Sequence, residues 1–127
     1  MMVDAMLDTN IIIDLLNAHP PATQWAHSRQ LKLGITSVTW MEVIYGAQNK
    51  IKRDAAFKFM RQFEMFRLIE EDQDWAMKQL FQHRLQYGID VLDCLMAAPS
   101  HRFQLPIYTR NLKHFMPLLG TLAIQAY

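Results

Sequence analysis

A chain of 127 residues has the size of one domain, and 51% apolar with 20% charged residues excludes a disordered chain. Lys and Arg number 13 against 12 for Asp and Glu, leaving a formal net charge of +1. No global field therefore draws the protein onto nucleic acid or an anionic membrane, so any such binding rests on local patches or bound cations.

The start, Met1-Met2-Val3-Asp4-Ala5, carries no basic segment and does not read as a secretory leader. Val3 to Leu7 reads as a short strand and Asn10 to Asn17 as a helix. Pro20-Pro21 ends that helix and opens the next, over Ala22 to Gln30. Leu31 to Thr36 is a second strand, and Ser37 caps a helix to about Gln48. Lys52 to Phe66 is the clearest helix, because Ala56, Phe59, Met60 and Phe63 share one face. Arg67 to Glu70 reads as a strand and Asp72 to Gln86 as a helix that Gly88 breaks. Asp90 opens a helix to about His101, Leu105 to Thr109 is a strand, and Leu122 to Tyr127 a last one. No apolar run approaches the roughly 20 residues of a membrane span. One cysteine, Cys94, excludes an internal disulfide framework and a thiolate-based zinc site, and reads as a small apolar side chain. The expectation is a soluble, cytoplasmic α/β protein of one domain, residues 1–127, with a mainly parallel sheet and a site at the carboxyl ends of its strands.

Three acids stand in apolar company. Asp8 lies between Met6-Leu7 and Ile11-Ile12-Ile13, Glu42 is the one charge between Ile35 and Ala47, and Asp93 sits within Val91-Leu92 and Cys94-Leu95-Met96. An unpaired buried carboxylate costs several kcal/mol or takes up a proton. Convergence of the three at the sheet edge around a divalent cation offsets that cost. Oxygen ligands with no Cys and no nearby His favour Mg²⁺ or Mn²⁺ over zinc. A structural reading stands beside this one. Asp8 or Asn10 can cap the first helix, Asp90 and Asp93 have the spacing of a capping box, and Glu42 can pair with a base from elsewhere.

Four segments in order resemble the motifs of PIN domains, and in particular of bacterial VapC-type toxins. They are Leu7-Asp8-Thr9-Asn10, Glu42 within Thr39–Ala47, Asp93-Cys94-Leu95-Met96-Ala97-Ala98, and Tyr108-Thr109-Arg110-Asn111-Leu112-Lys113-His114-Phe115. The resemblance implies a three-layer α/β/α sandwich and a Mg²⁺- or Mn²⁺-dependent endoribonuclease acting on single-stranded or loop RNA. It matches Asp8, Glu42 and Asp93 to the family's metal-site acids, Asn111 to the fourth position and Thr109 to its hydroxyl neighbour. Asn10 matches the polar residue after the first Asp, and Asp90 falls where it can act through a water. A cognate antitoxin and a homodimer are implied partners. Two residues depart from the pattern. His114 stands where many members have an acid, and Pro99 interrupts the helix after Ala97-Ala98.

Other readings compete. Lys50, Lys52, Arg53, Lys58 and Arg61 form either an RNA-facing patch or a solvated helix face, and Arg110 is better placed to meet a phosphate. Phosphotransfer through Asp8 resembles a strand followed by Asp-x-Asp, but the second position here is Asn10. A catalytically silent RNA- or protein-binding module of the same fold is the third alternative.

Overall fold

The computed structural model describes residues 3–127; Met1 and Met2, part of the start read as carrying no leader, lie outside the described residues. Five parallel strands form one sheet: β1 (Ala5–Leu7), β2 (Leu33–Thr36), β3 (Glu64–Phe66), β4 (Ile107–Thr109) and β5 (Ala123–Gln125), in the order β3-β2-β1-β4-β5. The helices are α1 (Thr9–Leu16), α2 (Pro20–His27), α3 (Ser37–Tyr45), α4 (Lys50–Met60), α5 (Glu70–Tyr87), α6 (Val91–Phe103) and α7 (Leu112–Leu119). They cover both sheet faces, giving a three-layer α/β/α sandwich.

Alternation along the central strand builds the two cores. Met6 enters the core lined by Val38, Phe66, Ile89, Met96, Ile107 and Phe115. Its neighbour Leu7 enters the opposite core, with Ile11, Ile12, Trp25, Ile35, Val43 and Met60. Successive side chains of a strand point to opposite faces, so a strand buried on both sides is apolar throughout, as Ala5-Met6-Leu7 is. Gly34 allows β2 to lie beside Phe66, since a Cβ there would stand 2.6 Å from the Phe66 ring. Gly88 adopts φ +69° and stops α5 in a left-handed C-cap. Asp72, 2% exposed, anchors the start of α5 by accepting from Ile69 N–H at 3.0 Å and from two Arg102 nitrogens at 2.9 and 3.0 Å.

Several elements differ from the sequence reading. The helix expected over Lys52 to Phe66 ends at Met60, and the next strand is Glu64–Phe66 rather than Arg67 to Glu70. Ala56 and Met60 are buried as the periodicity implies, but Phe63 lies beyond the helix and joins the same core from the loop. Thr36, not Ser37, caps α3, its hydroxyl accepting from Thr39 N–H at 3.1 Å, and α3 stops at Tyr45. Pro99 does not interrupt α6, which continues to Phe103. A proline inside a helix forfeits one backbone hydrogen bond, and here the ring is buried in the core. α7 has no counterpart in the sequence reading.

Candidate active site

The strand order reverses between β1 and β4, and ligands of open parallel sheets bind at the carboxyl end of such a switch point. Asp8 follows β1 directly and caps α1. Its carboxylate oxygens are held separately. Thr9 N–H donates to one at 2.7 Å, and the hydroxyl of Thr109, the last residue of β4, donates to the other at 2.7 Å. Asp8, 5% exposed, is thereby fixed in one orientation.

Glu42 is carried in by α3. The Thr9 hydroxyl donates to its Oε1 at 2.6 Å, and the same hydroxyl oxygen lies 3.1 Å from that of Thr39. Asp93 occupies the first turn of α6. Its N–H donates to Asp90 at 2.8 Å, while Asp90 N–H reaches Asp93 Oδ2 at 3.4 Å. The capping box is real, but its return bond is long, and the same Oδ2 lies 2.9 Å from His114 Nδ1. Asn111, at the cap of α7, donates its N–H to Thr109 Oγ1 at 2.8 Å and places its amide nitrogen 2.9 Å from His114 Nδ1.

These bonds form one path through neighbouring residues: Glu42, Thr9, Asp8, Thr109, Asn111, His114, Asp93. Of the residues matched from the sequence, Asp8, Glu42, Asp93, Thr109 and Asn111 lie on it, and Asn10 and Asp90 do not. Two others, Thr9 and His114, join it through contacts that linear spacing does not display. Asn10 lies beside the path, its side-chain oxygen 3.4 Å from Arg110 N, and Asp90 serves as the cap of α6.

Charge is poorly balanced here. Burial raises the Asp8 carboxyl from 3.8 to about 6, against the Thr109 and Thr9 hydrogen bonds, and the Asp93 and Glu42 charges add to the rise. Asp93 is also raised, by burial and then by the charge of Asp90, while the Asp90 N–H and His114 oppose the shift. Among the described residues, no Lys or Arg forms an ion pair with Asp8, Glu42 or Asp93. Arg110, expected to be available to a phosphate, instead grips Asp14 at 2.8 and 3.1 Å, and Tyr127 donates its hydroxyl to the same carboxylate. Cys94 is buried and its thiol is pushed up to about 11, so it packs as a neutral side chain.

Asp8, Glu42 and Asp93 offer hard oxygen donors suited to Mg²⁺ or Mn²⁺. Among the described residues, no three His, Cys, Asp or Glu side chains close on a single point. The donor set and the uncompensated carboxylate charge fit a divalent cation. The expectation of no nearby His is corrected: the first turn of α7 brings His114 onto Asp93.

The fold recurs in solved structures. A toxin–antitoxin complex from Klebsiella pneumoniae contains a chain 25% identical to this one, with a TM-score of 0.79 over 97% of this chain and 98% of that one. DNA-bound VapBC from Salmonella typhimurium is 22% identical, with a TM-score of 0.76 over 99% of this chain and 100% of that one. FitAcB from Neisseria gonorrhoeae is 19% identical, with a TM-score of 0.75 over 95% and 96%. No curated protein matches the chain significantly. Residues 5–114, which include the whole path from Asp8 to His114, match the family model described as PIN domain, and the chain belongs to that family.

Proposed function

We propose that the chain, as one domain over residues 1–127, is a divalent-cation-dependent endoribonuclease that cuts single-stranded or loop RNA. We further propose that it is the toxin of a toxin–antitoxin pair acting in the cytoplasm. The observation that carries the reading is the convergence of Asp8, Glu42 and Asp93 on one hydrogen-bonded path without a Lys or Arg partner. Membership of the PIN family and the likeness to toxin–antitoxin complexes support the same reading.

In this mechanism Asp8, Glu42 and Asp93 hold Mg²⁺ or Mn²⁺, directly or through water. A bound cation supplies Lewis acidity to a phosphate oxygen and lowers the pKa of water at neutral pH. The protein supplies orientation. Thr109 and the Thr9 amide keep both Asp8 oxygens in place, and the Thr9 hydroxyl does the same for Glu42. Asn111 holds Thr109 through its backbone N–H and presents a side-chain amide that can orient water or a phosphate oxygen.

Partners have surface to cover. Tyr45, Ile51, Phe81 and Leu85 are large apolar side chains 82–99% exposed. A cognate antitoxin and a second copy of the chain are the proposed occupants, and light-scattering mass over a concentration series tests the dimer. The cations on α4 support an RNA-facing role less strongly, since Arg53 pairs with Asp54 and Lys52 with Gln48.

The deciding experiment incubates wild type and Asp8→Asn with structured and single-stranded RNAs in Mg²⁺, Mn²⁺ or EDTA. Expected is cleavage that needs the metal and falls about 100-fold or more in the variant, as the loss of a charge-stabilising group implies. Metal-dependent cleavage surviving in Asp8→Asn overturns the mechanism.

A further inference from the structure

An acidic site must still hold a strand that carries a negative charge on every phosphate. With a formal net charge of +1, the protein has no general field to do this, so a local cation is needed. Arg110 stands at the right place in the chain. Its neighbours are Thr109, whose hydroxyl donates to Asp8, and Asn111, whose N–H donates to Thr109. Its own N–H reaches Asn10 Oδ1 at 3.4 Å, which lays the end of β4 against the first turn of α1. Asp14 lies one turn further along the same face of α1 and receives the Arg110 side chain.

The manner of that contact is informative. Both bonds to Asp14, at 3.1 and 2.8 Å, come from Arg110 Nη1 alone. Nε and Nη2, the parallel pair of donors on the opposite edge of the guanidinium, have no partner among the described residues. Arg102 shows the alternative. It turns its Nε and Nη2 onto Asp72 at 2.9 and 3.0 Å, as an arginine does when its task is to tie two helices together. Arg110 is held by one corner, with its fork unspent. The carboxylate is the sheltered member of the pair, 14% exposed against 47% for the arginine. Tyr127 also donates its hydroxyl to Asp14, which lowers the demand of that carboxylate on the guanidinium.

We propose that Arg110 binds a phosphate of the RNA backbone through Nε and Nη2, with Asp14 setting the direction of the fork; this rests on the reading of the chain as a ribonuclease. A fork of two parallel N–H donors matches two oxygens of one phosphate, and it need not leave Asp14 to do so. Asp14 lies six residues beyond Asp8, about 9 Å along the helix axis. The phosphate that Arg110 meets is therefore a neighbour of the one at the acids, and the contact serves to place the strand.

The test reads binding rather than cleavage. Asp8→Asn in Mg²⁺ is the background, so that the strand stays whole, and the probe is a short fluorescein-labelled single-stranded RNA of mixed sequence followed by anisotropy. Adding Arg110→Gln should weaken binding about tenfold. It should also lower the slope of log Kd against log salt by about 0.7, the share of one phosphate contact on a single strand. Arg110→Lys keeps the charge and the pair with Asp14 but not the fork. It should keep the slope, lose affinity severalfold and melt at an unchanged temperature. That variant carries the answer if Arg110→Gln unfolds. An unchanged slope in Arg110→Gln, or an unchanged affinity in Arg110→Lys, overturns the proposal and leaves the ribonuclease reading standing. If the background protein binds no RNA at any salt, the ribonuclease reading fails and this inference with it.

Discussion

Asp8→Asn should make the metal-free protein more stable at alkaline pH, although it removes the residue most central to the site. The Asp8 carboxyl is raised from 3.8 to about 6 by burial, with the Asp93 and Glu42 charges adding to it. Because the folded value exceeds the unfolded one, the stability Asp8 contributes is complete below pH 3.8 and is lost as pH rises through about 6. A displacement of about two pH units at about 1.36 kcal/mol each puts the cost of the ionised form on the order of 3 kcal/mol at pH 8. Asparagine keeps the shape and carries no charge. Its oxygen can accept from Thr9 N–H, and its NH₂ can donate to Thr109, whose hydroxyl turns to suit. Urea unfolding in EDTA at pH 4 and pH 8 measures the effect. The variant should gain about 1–3 kcal/mol at pH 8, part of the ionisation cost being lost to a weaker Thr109 bond, and close to nothing at pH 4. A variant less stable than wild type by more than about 1 kcal/mol at pH 8, or a gain equal at both pH values, refutes the charge argument.

Thr9→Val removes the hydroxyl that holds Glu42 and should lower RNA cleavage about tenfold with the fold intact, whereas Thr9→Ser should keep most of the activity; cleavage rates and thermal melts of both variants check this. Arg102→Met strands Asp72, 2% exposed, without its guanidinium partner and should cost about 3 kcal/mol in urea unfolding at pH 7, with the two helices α5 and α6 loosened together.

The acids of the site were legible because each breaks a physical rule. A carboxylate inside Leu7-Asp8-Thr9-Asn10-Ile11 or Leu92-Asp93-Cys94 contradicts the apolar run around it, and such conflicts gather at functional sites. Thr9 and His114 break no rule. A threonine after a strand and a histidine in a helical turn are ordinary, and only the fold shows that one holds Glu42 and the other meets Asp93. Element boundaries were lost where an apolar pattern outran its element. Phe63 continues the spacing of Ala56 and Met60, yet the chain turns at Arg61 and Phe63 reaches the same core from the loop. The opposite failure concerns α7. Phe115, Leu118 and Leu119 have the spacing of one helix face, but Pro117 between them reads as a break. In a helix of 8 residues near its end, that proline costs one hydrogen bond and does not stop the burial of Phe115.

The instability of the site and its proposed activity are two sides of one equilibrium. Asp8 binds a proton tightly for a carboxyl because its charge is buried beside other acids, and a divalent cation relieves the same charge. Proton and cation must therefore compete, and the competition should appear in stability before any RNA is added. A ligand that binds only the folded state at 100 times its Kd stabilises by about 2.7 kcal/mol. For a chain of this size that raises the melting temperature by roughly 5–15 °C. Saturating Mg²⁺ or Mn²⁺ should produce such a rise at pH 8. At pH 5, where Asp8 is largely protonated, most of it should vanish. In Asp8→Asn the rise should be small at both values, because the variant already has the relief that the cation brings. Differential scanning fluorimetry of the two proteins at two pH values, with and without the ion, reads every term. An equal rise in wild type and variant would place the ion elsewhere on the protein. A wild-type rise that ignores pH would mean that Asp8 does not hold it.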